Sequence, residues 1–272
     1  MKKSRTGGGK LSRKLLAILF TSGMVSTGAY AQGTGENKVY IEQVGSSNTI
    51  TIEQVGGSNN VGGVTNQSAT TVDASGVTTL SPAAPSSSNY ATVNGSNNTV
   101  TVQQTGNNNS TQYSITGSKN TYSSTVTGNS NQTLLTVNNG TVTGNTNSTI
   151  TENITGDSNL IIQNVTSSQF TSTTNITGNN NQITSDSTTT GTLSNISNTI
   201  SGNSNIMNIQ QADTGTHSVV LNTLGDYNSI TTQQQGSNNS TINIDTTGSH
   251  NTITVRSTNG VSITNPMTAI AR

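Results

Sequence analysis

The sequence predicts an all-β protein made of stacked strand–turn–strand units, a β-solenoid, and three observations carry the prediction. A Gly-x-x-Asn motif recurs about every 11 residues, so two units make a rung of about 22 residues. Between the motifs, β-branched residues alternate with polar ones, which is the pattern of half-buried strands. Only 27% of the 272 residues are hydrophobic and 7% charged, too few apolar side chains for a conventional two-layer enzyme domain.

The turns come from the repeated motif. Glycine supplies a positive φ in a tight turn, and asparagine tolerates such backbone while its amide bonds neighbouring main chain. The spacing is 11 residues early in the chain and 22 to 24 later, as though one turn in two had decayed. The motif begins at Gly45, Gly56, Gly95, Gly106, Gly117, Gly128, Gly144, Gly156, Gly178, Gly202, Gly225, Gly236 and Gly248.

The strands lie between these turns, for example Val39-x-Ile41-x-Gln43 and Ile50-x-Ile52-x-Gln54. One such unit cannot bury its apolar side alone, whereas units stacked about 4.8 Å apart pair each strand with its neighbours. We therefore expect the Ile and Val positions to form a narrow dry seam, and Gln and Asn side chains to stack as amide ladders.

The N-terminal residues 1–31 read as a secretory signal peptide. Six basic residues precede an apolar run from Leu15 to about residue 25, and the segment closes with Ala29-Tyr30-Ala31. The run is too short to span a bilayer, so no membrane insertion is expected. Removal of the segment leaves four Lys and Arg against ten Asp and Glu, and such an acidic chain does not favour nucleic-acid binding.

The rest of the chain divides unevenly. Its predicted parts are a polar lead over 32–38, a first sharp repeat over 39–60, a Pro- and Ser-containing linker or loop over 61–88, a degenerate repeat solenoid over 89–262, and a tail over 263–272.

The first repeat closely resembles the curlin repeat of bacterial curli fibres, which reads Ser-x5-Gln-x-Gly-x-x-Asn-x-Ala-x3-Gln. Gln43, Gly45, Asn48 and Gln54 fall on the matching positions, and Ile50 stands where the alanine would be. Further matches are Gly56 with Asn59, Gln104 with Gly106 and Asn109, and Gln234 with Gly236 and Asn239.

The resemblance implies a curlin-like, secreted fibre subunit that polymerises into functional amyloid of the biofilm matrix and acts in adhesion, as part of a pilus-like surface appendage. It also implies three partners: further copies of the chain, a nucleator subunit and an outer-membrane secretion channel. By edge-strand templating we expect Ile41, Ile50 and Ile52 in the contact seam, and Gln43, Asn48 and Gln54 in amide ladders. The middle of the chain departs from the pattern, with Ile or Val in place of the Gln.

No catalytic, cofactor or metal site is expected. The chain has no cysteine, and His217 and His250 lack a second ligand at metal-binding spacing, so both read as residues of the repeat surface. The aspartates are scattered and do not form a calcium-binding repeat.

Two soluble alternatives use the same solenoid. Regular threonine hydroxyls on one face could bind ice, although the Thr-x-Thr pairs do not recur once per rung of the sequence. The pairs begin at Thr49, Thr99, Thr125, Thr141, Thr149 and Thr252. A non-polymerising adhesin stalk is the other alternative, and capped end rungs would distinguish it from a polymer.

Overall fold

The computed structural model describes residues 15–21, 35–63, 90–138, 147–167, 169–189, 194–213, 216–236, 240–258 and 263–264. These residues form strands and turns without a helix, and apart from β1 all strands pair in parallel. The predicted β-solenoid is confirmed. The strands are β1 Leu15–Thr21, β2 Lys38–Val39, β3 Ile41–Val44, β4 Thr49–Val55, β5 Asn60–Val61, β6 Ala91–Asn94, β7 Thr99–Thr105, β8 Ser110–Thr116, β9 Thr121–Thr127, β10 Gln132–Asn138, β11 Asn147–Thr155, β12 Leu160–Ser167, β13 Gln169–Thr177, β14 Gln182–Thr189, β15 Ser194–Ser201, β16 Ile206–Asp213, β17 His217–Leu224, β18 Ser229–Gln235, β19 Ser240–Thr247, β20 Thr252–Thr258 and β21 Ile263–Thr264.

Two sheets enclose the interior. Sheet 1 has the order β1-β4-β7-β9-β11-β13-β15-β17-β19-β21, and sheet 2 runs from β2 and β3 to β20. Each rung contributes one strand to each sheet, and hydrogen bonds between equivalent positions of most successive rungs join residues 22 to 28 apart. Alternate side chains of both sheets point inward and are buried, so the period-two pattern of the sequence becomes a single continuous core.

The two edges of the solenoid differ. The regular edge carries the turns that lead from sheet 1 to sheet 2, and from β4 to β20 each of these described turns has the Gly-x-x-Asn motif, from 56–59 to 248–251. The variable edge leads from sheet 2 back to sheet 1. It has the motif at 45–48, 95–98 and 117–120, while several of its later connections lie outside the described residues. Motif loss in the second half of the sequence is thus confined to the variable edge, where only the connections with Gly144 and Gly236 keep the motif.

The second rung contains a strand that is interrupted in the sequence. β5 pairs with β2 and with the start of β8, and β6 pairs with β3 and with the end of β8, so both occupy one strand level of sheet 2. Equivalent bonds therefore span 50 residues here and 22 in the next rung. The segment expected as a linker or loop, 61–88, lies mostly outside the described residues, and the strands on either side of it, β5 and β6, belong to the same rung.

The N-terminal segment differs from the expectation that residues 1–31 stand apart from the fold. In the full chain β1 pairs antiparallel with β4, from Leu15 opposite Val55 to Thr21 opposite Thr49. The physical reason is that β4 presents an unpaired edge and the apolar run supplies a seven-residue strand for it. Whether the segment is a cleaved signal peptide stays a prediction. In the described part of the chain no helix is long and apolar enough to cross a membrane.

Candidate assembly surfaces and the ladders that lead to them

The turns of the regular edge require glycine. Gly106 has a φ of +121°, and a Cβ built on it would overlap the carbonyl group of Gly128 in the next rung. Two residues later the chain adopts a left-handed conformation, with a φ of +58° at Asn108. The close approach lets the Gly128 N–H donate to the Thr105 carbonyl at 2.9 Å, so rungs stack at the turns as closely as in the strands.

The asparagines of the same turns form a buried ladder along the whole regular edge. Asn131 is typical. Its N–H and Nδ2 donate to Asn109 Oδ1 at 3.0 and 3.1 Å, and Nδ2 also donates to the Gly156 carbonyl at 2.7 Å. Its own Oδ1 accepts from the N–H and Nδ2 of Asn159. The members are Asn37, Asn59, Asn109, Asn131, Asn159, Asn181, Asn205, Asn228 and Asn251.

The variable edge begins with a shorter ladder. Asn48 Oδ1 accepts from the N–H and Nδ2 of Asn98, and Asn120 repeats the pattern on Asn98. Ser148 then donates its N–H to Asn120 Oδ1, and beyond it Phe170 stands at the equivalent register position. The amide ladder expected at Asn48 therefore extends over the first rungs only.

Glutamines form two buried pairs, one near each end. Gln54 donates to Gln104 Oε1 at 2.8 Å, and Gln211 donates to Gln234 Oε1 at 3.1 Å. Gln43 is also buried, but Val93 is its register partner, so an amide ladder does not continue from it. The other residues expected at the contact lie in several places. The core contains Ile41, Ile50 and Ile52, and the long ladder contains Asn59 and Asn109. Turns that follow strands contain Gly45, Gly56, Gly106 and Gly236, whereas Asn239 lies outside the described residues.

Four columns of inward side chains begin and end with Ile or Val. The column of Ile52 is described as far as Ile244 on β19, and that of Ile50 passes Ile242 and ends at the register position of Ile263 on β21. In sheet 2 the column of Val39 ends at Ile253, and that of Ile41 ends at Val255. Once β1 no longer covers β4, the two end rungs of the solenoid thus present three matching apolar columns, those of Val39, Ile41 and Ile50.

The middle of these columns is polar, which the alternation pattern does not predict. The column of Ile52 continues through Val102, Ser124, Glu152, Thr174 and Asn198 before it becomes apolar again at Leu221. Glu152 is fully buried, and the Tyr122 hydroxyl donates to its Oε2 at 2.7 Å. The sequence indicates this burial through the alternation of β11. Glu152 stands two residues from both Ile150 and Ile154, so it points inward with them.

The two histidines have different environments. His217 was expected at the surface but is buried, because it shares the inward phase of Val219 and Leu221 on β17. His250 lies in a turn of the regular edge, where its ring stacks on Tyr227 with 5.2 Å between centroids. Among the described residues no three His, Asp or Glu side chains come together as metal ligands.

The fold and the ladders define a β-solenoid with an Asn-based repeat, and the family comparison agrees. Residues 31–56 match the model of the curlin associated repeat. The match includes residues 39–56 of the first repeat, where Gln43, Gly45, Asn48 and Gln54 carry the resemblance. No curated protein and no solved structure matches the chain.

Proposed function

We propose that the chain is an exported, non-enzymatic subunit of a curli-like amyloid fibre, a surface appendage that acts in adhesion and in the biofilm matrix. The observation that carries the proposal is the match between its two ends. When the C-terminal end of one copy stacks on the N-terminal end of the next, with β1 removed, β20 lies beside β2 and β21 lies beside β4. Ile253 then meets Val39, and the register position of Ile263 meets that of Ile50. Three of the four apolar columns, those of Val39, Ile41 and Ile50, then continue through the contact, so the dry seam of the solenoid becomes the seam of the fibre.

The long ladder gives this contact a direction. Within the chain each asparagine Oδ1 accepts from the following rung, and Asn251 has no further rung above it in the described residues. In a fibre the Asn251 Oδ1 of one copy accepts from the N–H and Nδ2 of Asn37 in the next copy. The interface is therefore head to tail and extends without closing. A nucleator subunit and an outer-membrane channel are further partners proposed from the family resemblance.

The experiment follows purified residues 32–272 after dilution from denaturant, by thioflavin fluorescence and by fibre diffraction. We expect fibres with reflections near 4.8 Å and about 10 Å. A soluble, thioflavin-silent and strand-rich monomer would refute polymerisation and would leave an adhesin stalk.

Two seam variants test the residues assigned to the contact. Ile52→Asp places a charge at a fully buried end position, and Gln43→Ala with Gln54→Ala removes the terminal amides, so both should slow fibre growth. Glu42→Gln is the matched control, because Glu42 is exposed on the strand that carries Gln43. Equal growth of the seam variants and the control would remove the N-terminal end from the contact.

A second candidate function, ice binding, rests on the outer face of sheet 1. The structure brings threonines of five adjacent strands into register, which the sequence hid because rung lengths vary. One row consists of Thr49, Thr99, Thr121, Thr149 and Thr171, and the parallel row of Thr51, Thr101, Ser123, Thr151 and Thr173. All are at least partly exposed, so their hydroxyls form a regular array on the solvent side.

Ice recrystallisation assays on unpolymerised protein test this candidate. Thr151→Lys should abolish inhibition because the lysine interrupts the array, whereas Thr136→Lys, on the outer face of sheet 2, should not. Ice that recrystallises at the same rate with and without the unmodified chain would rule out ice binding.

A further inference from the structure

Among the residues that the structure describes, the solenoid interior contains one carboxyl group, that of Glu152 at the centre of β11. It occupies a column position that is Ile52 or Val102 in earlier rungs and Ile244 on β19. Its side chain is completely buried, Oε2 accepts from the Tyr122 hydroxyl, and Oε1 has no hydrogen-bond partner. A carboxylate at this place would be an unpaired buried charge, the most costly polar group that a core can hold.

The strands around Glu152 offer nothing that would compensate such a charge. The inward side chains of β8, β9, β10, β12 and β13 include no Lys, Arg, His, Asp or second Glu. The titratable groups among them are Tyr122 on β9 and Tyr113 on β8, whose rings meet edge to face at 6.0 Å. Burial raises the pKa of both hydroxyls, so both stay neutral donors over the physiological range.

The polar neighbours suit a neutral carboxylic acid. Thr174 is the register partner of Glu152 on β13 and accepts from Gln163 Nε2 of β12 at 2.9 Å. Burial raises the pKa of Glu152 from 4.5 to about 7, and the nearby hydroxyls of Tyr122 and Ser124 offset only part of this effect. Below neutral pH the folded chain therefore holds Glu152 protonated.

We propose that Glu152 is an acid-dependent switch: its neutral carboxyl allows the central rungs to close in mildly acidic surroundings, and its ionisation loosens them as the medium becomes neutral to alkaline. The effect on folding concerns the single chain. The effect on fibre growth rests on the proposed function, because a chain must close its central rungs before its two ends can stack.

The direction of the pH dependence follows from the protonation of Glu152 in the folded and in the unfolded chain. Below about pH 4.5 Glu152 is protonated in both the folded and the unfolded chain, so its contribution to stability is complete. Between about 4.5 and 7 the unfolded chain releases the proton and the folded chain keeps it. The folding equilibrium constant therefore falls about tenfold per pH unit, roughly 300-fold over the window, and then levels off.

The test measures urea unfolding of residues 32–272 by far-UV circular dichroism between pH 4 and 8.5, under conditions that precede fibre growth. Glu152→Gln keeps the shape of the side chain without an ionisable proton. The urea midpoint of this variant should therefore no longer fall between pH 4.5 and 7. Glu42→Gln, the exposed control, should keep that fall. Tyr122→Phe removes the hydrogen bond that lowers the pKa, so the fall should extend to higher pH.

A second measurement follows the protonation of the Glu152 carboxyl group directly. The sequence has four glutamates, Glu36, Glu42, Glu53 and Glu152, so carboxyl carbon-13 labelling of glutamate gives four resonances. One of them should titrate near pH 7 and disappear in Glu152→Gln. Parallel urea curves for the unmodified chain and Glu152→Gln, or four glutamates that all titrate below pH 5, would overturn the switch. A switch that operates in a chain that forms no fibre at any pH would refute the proposed function alone.

Discussion

Replacement of Asn131 by alanine tests the long asparagine ladder at its middle. The variant deprives two backbone groups of their partners, the buried N–H of Asn159 and the partly buried carbonyl of Gly156. In the unmodified chain these groups bond to the Asn131 side chain at 2.9 and 2.7 Å. An unsatisfied buried group costs about 1–3 kcal/mol. We therefore expect the free energy of unfolding of residues 32–272 to fall by about 2–5 kcal/mol, measured from urea curves before assembly.

Asn129 provides the matched control in the same turn. Its side chain also bridges rungs, since Oδ1 accepts from the Asn107 N–H and Nδ2 donates to Asp157, but it is exposed. Water replaces these bonds when the side chain is removed, so Asn129→Ala should cost less than about 1 kcal/mol. Equal losses of stability in Asn129→Ala and Asn131→Ala would contradict this expectation, because burial would then not determine how much a ladder asparagine stabilises the fold.

Two further predictions concern packing. Gly106→Ala should lower the free energy of unfolding by more than about 3 kcal/mol, because its Cβ would overlap the Gly128 carbonyl. The control is Ser130→Gly, at a residue of left-handed conformation in the next turn, which should change the free energy of unfolding by less than about 1 kcal/mol. Urea midpoints would contradict this if both variants behaved alike. Phe170→Ala should lower the free energy of unfolding by about 3–5 kcal/mol, because the ring is fully buried at the place where the variable edge has lost its asparagine. Thr171→Ala, on the outer face, should lower it little. A thermal midpoint unchanged by Phe170→Ala would show that the ring does not support the core.

The period and the turn chemistry were predictable from the sequence because both are local. Gly106 and Asn109 stand three residues apart in one turn, and the alternation around Ile52 lies within one strand. Their stacking follows, since a repeat of this kind has no other way to bury its apolar side. The curlin-type residues of the first repeat could be named for the same reason.

The rest depends on register between distant rungs. Nothing local tells that Ala91 continues the strand of Val61, because the intervening segment with Pro82 and Pro85 reads as a linker. The threonine rows were hidden by unequal rung lengths. Glu152 and His217 were visible only through their inward phase, and both break the rule that such positions are apolar, which is typical of sites where local preference and packing conflict.

The most direct test of the head-to-tail contact uses disulfides, because the chain has no cysteine of its own. In a fibre Lys38 at the first strand of sheet 2 would stand beside Thr252 in the last strand of the preceding copy, at the strand spacing of about 4.8 Å, within the range that a disulfide spans. Oxidised fibres of the variant with both Lys38→Cys and Thr252→Cys should yield a series of covalent multimers in denaturant, and each single variant should yield monomers. Dimers from either single variant, or monomers alone from the double variant, would contradict end-to-end stacking.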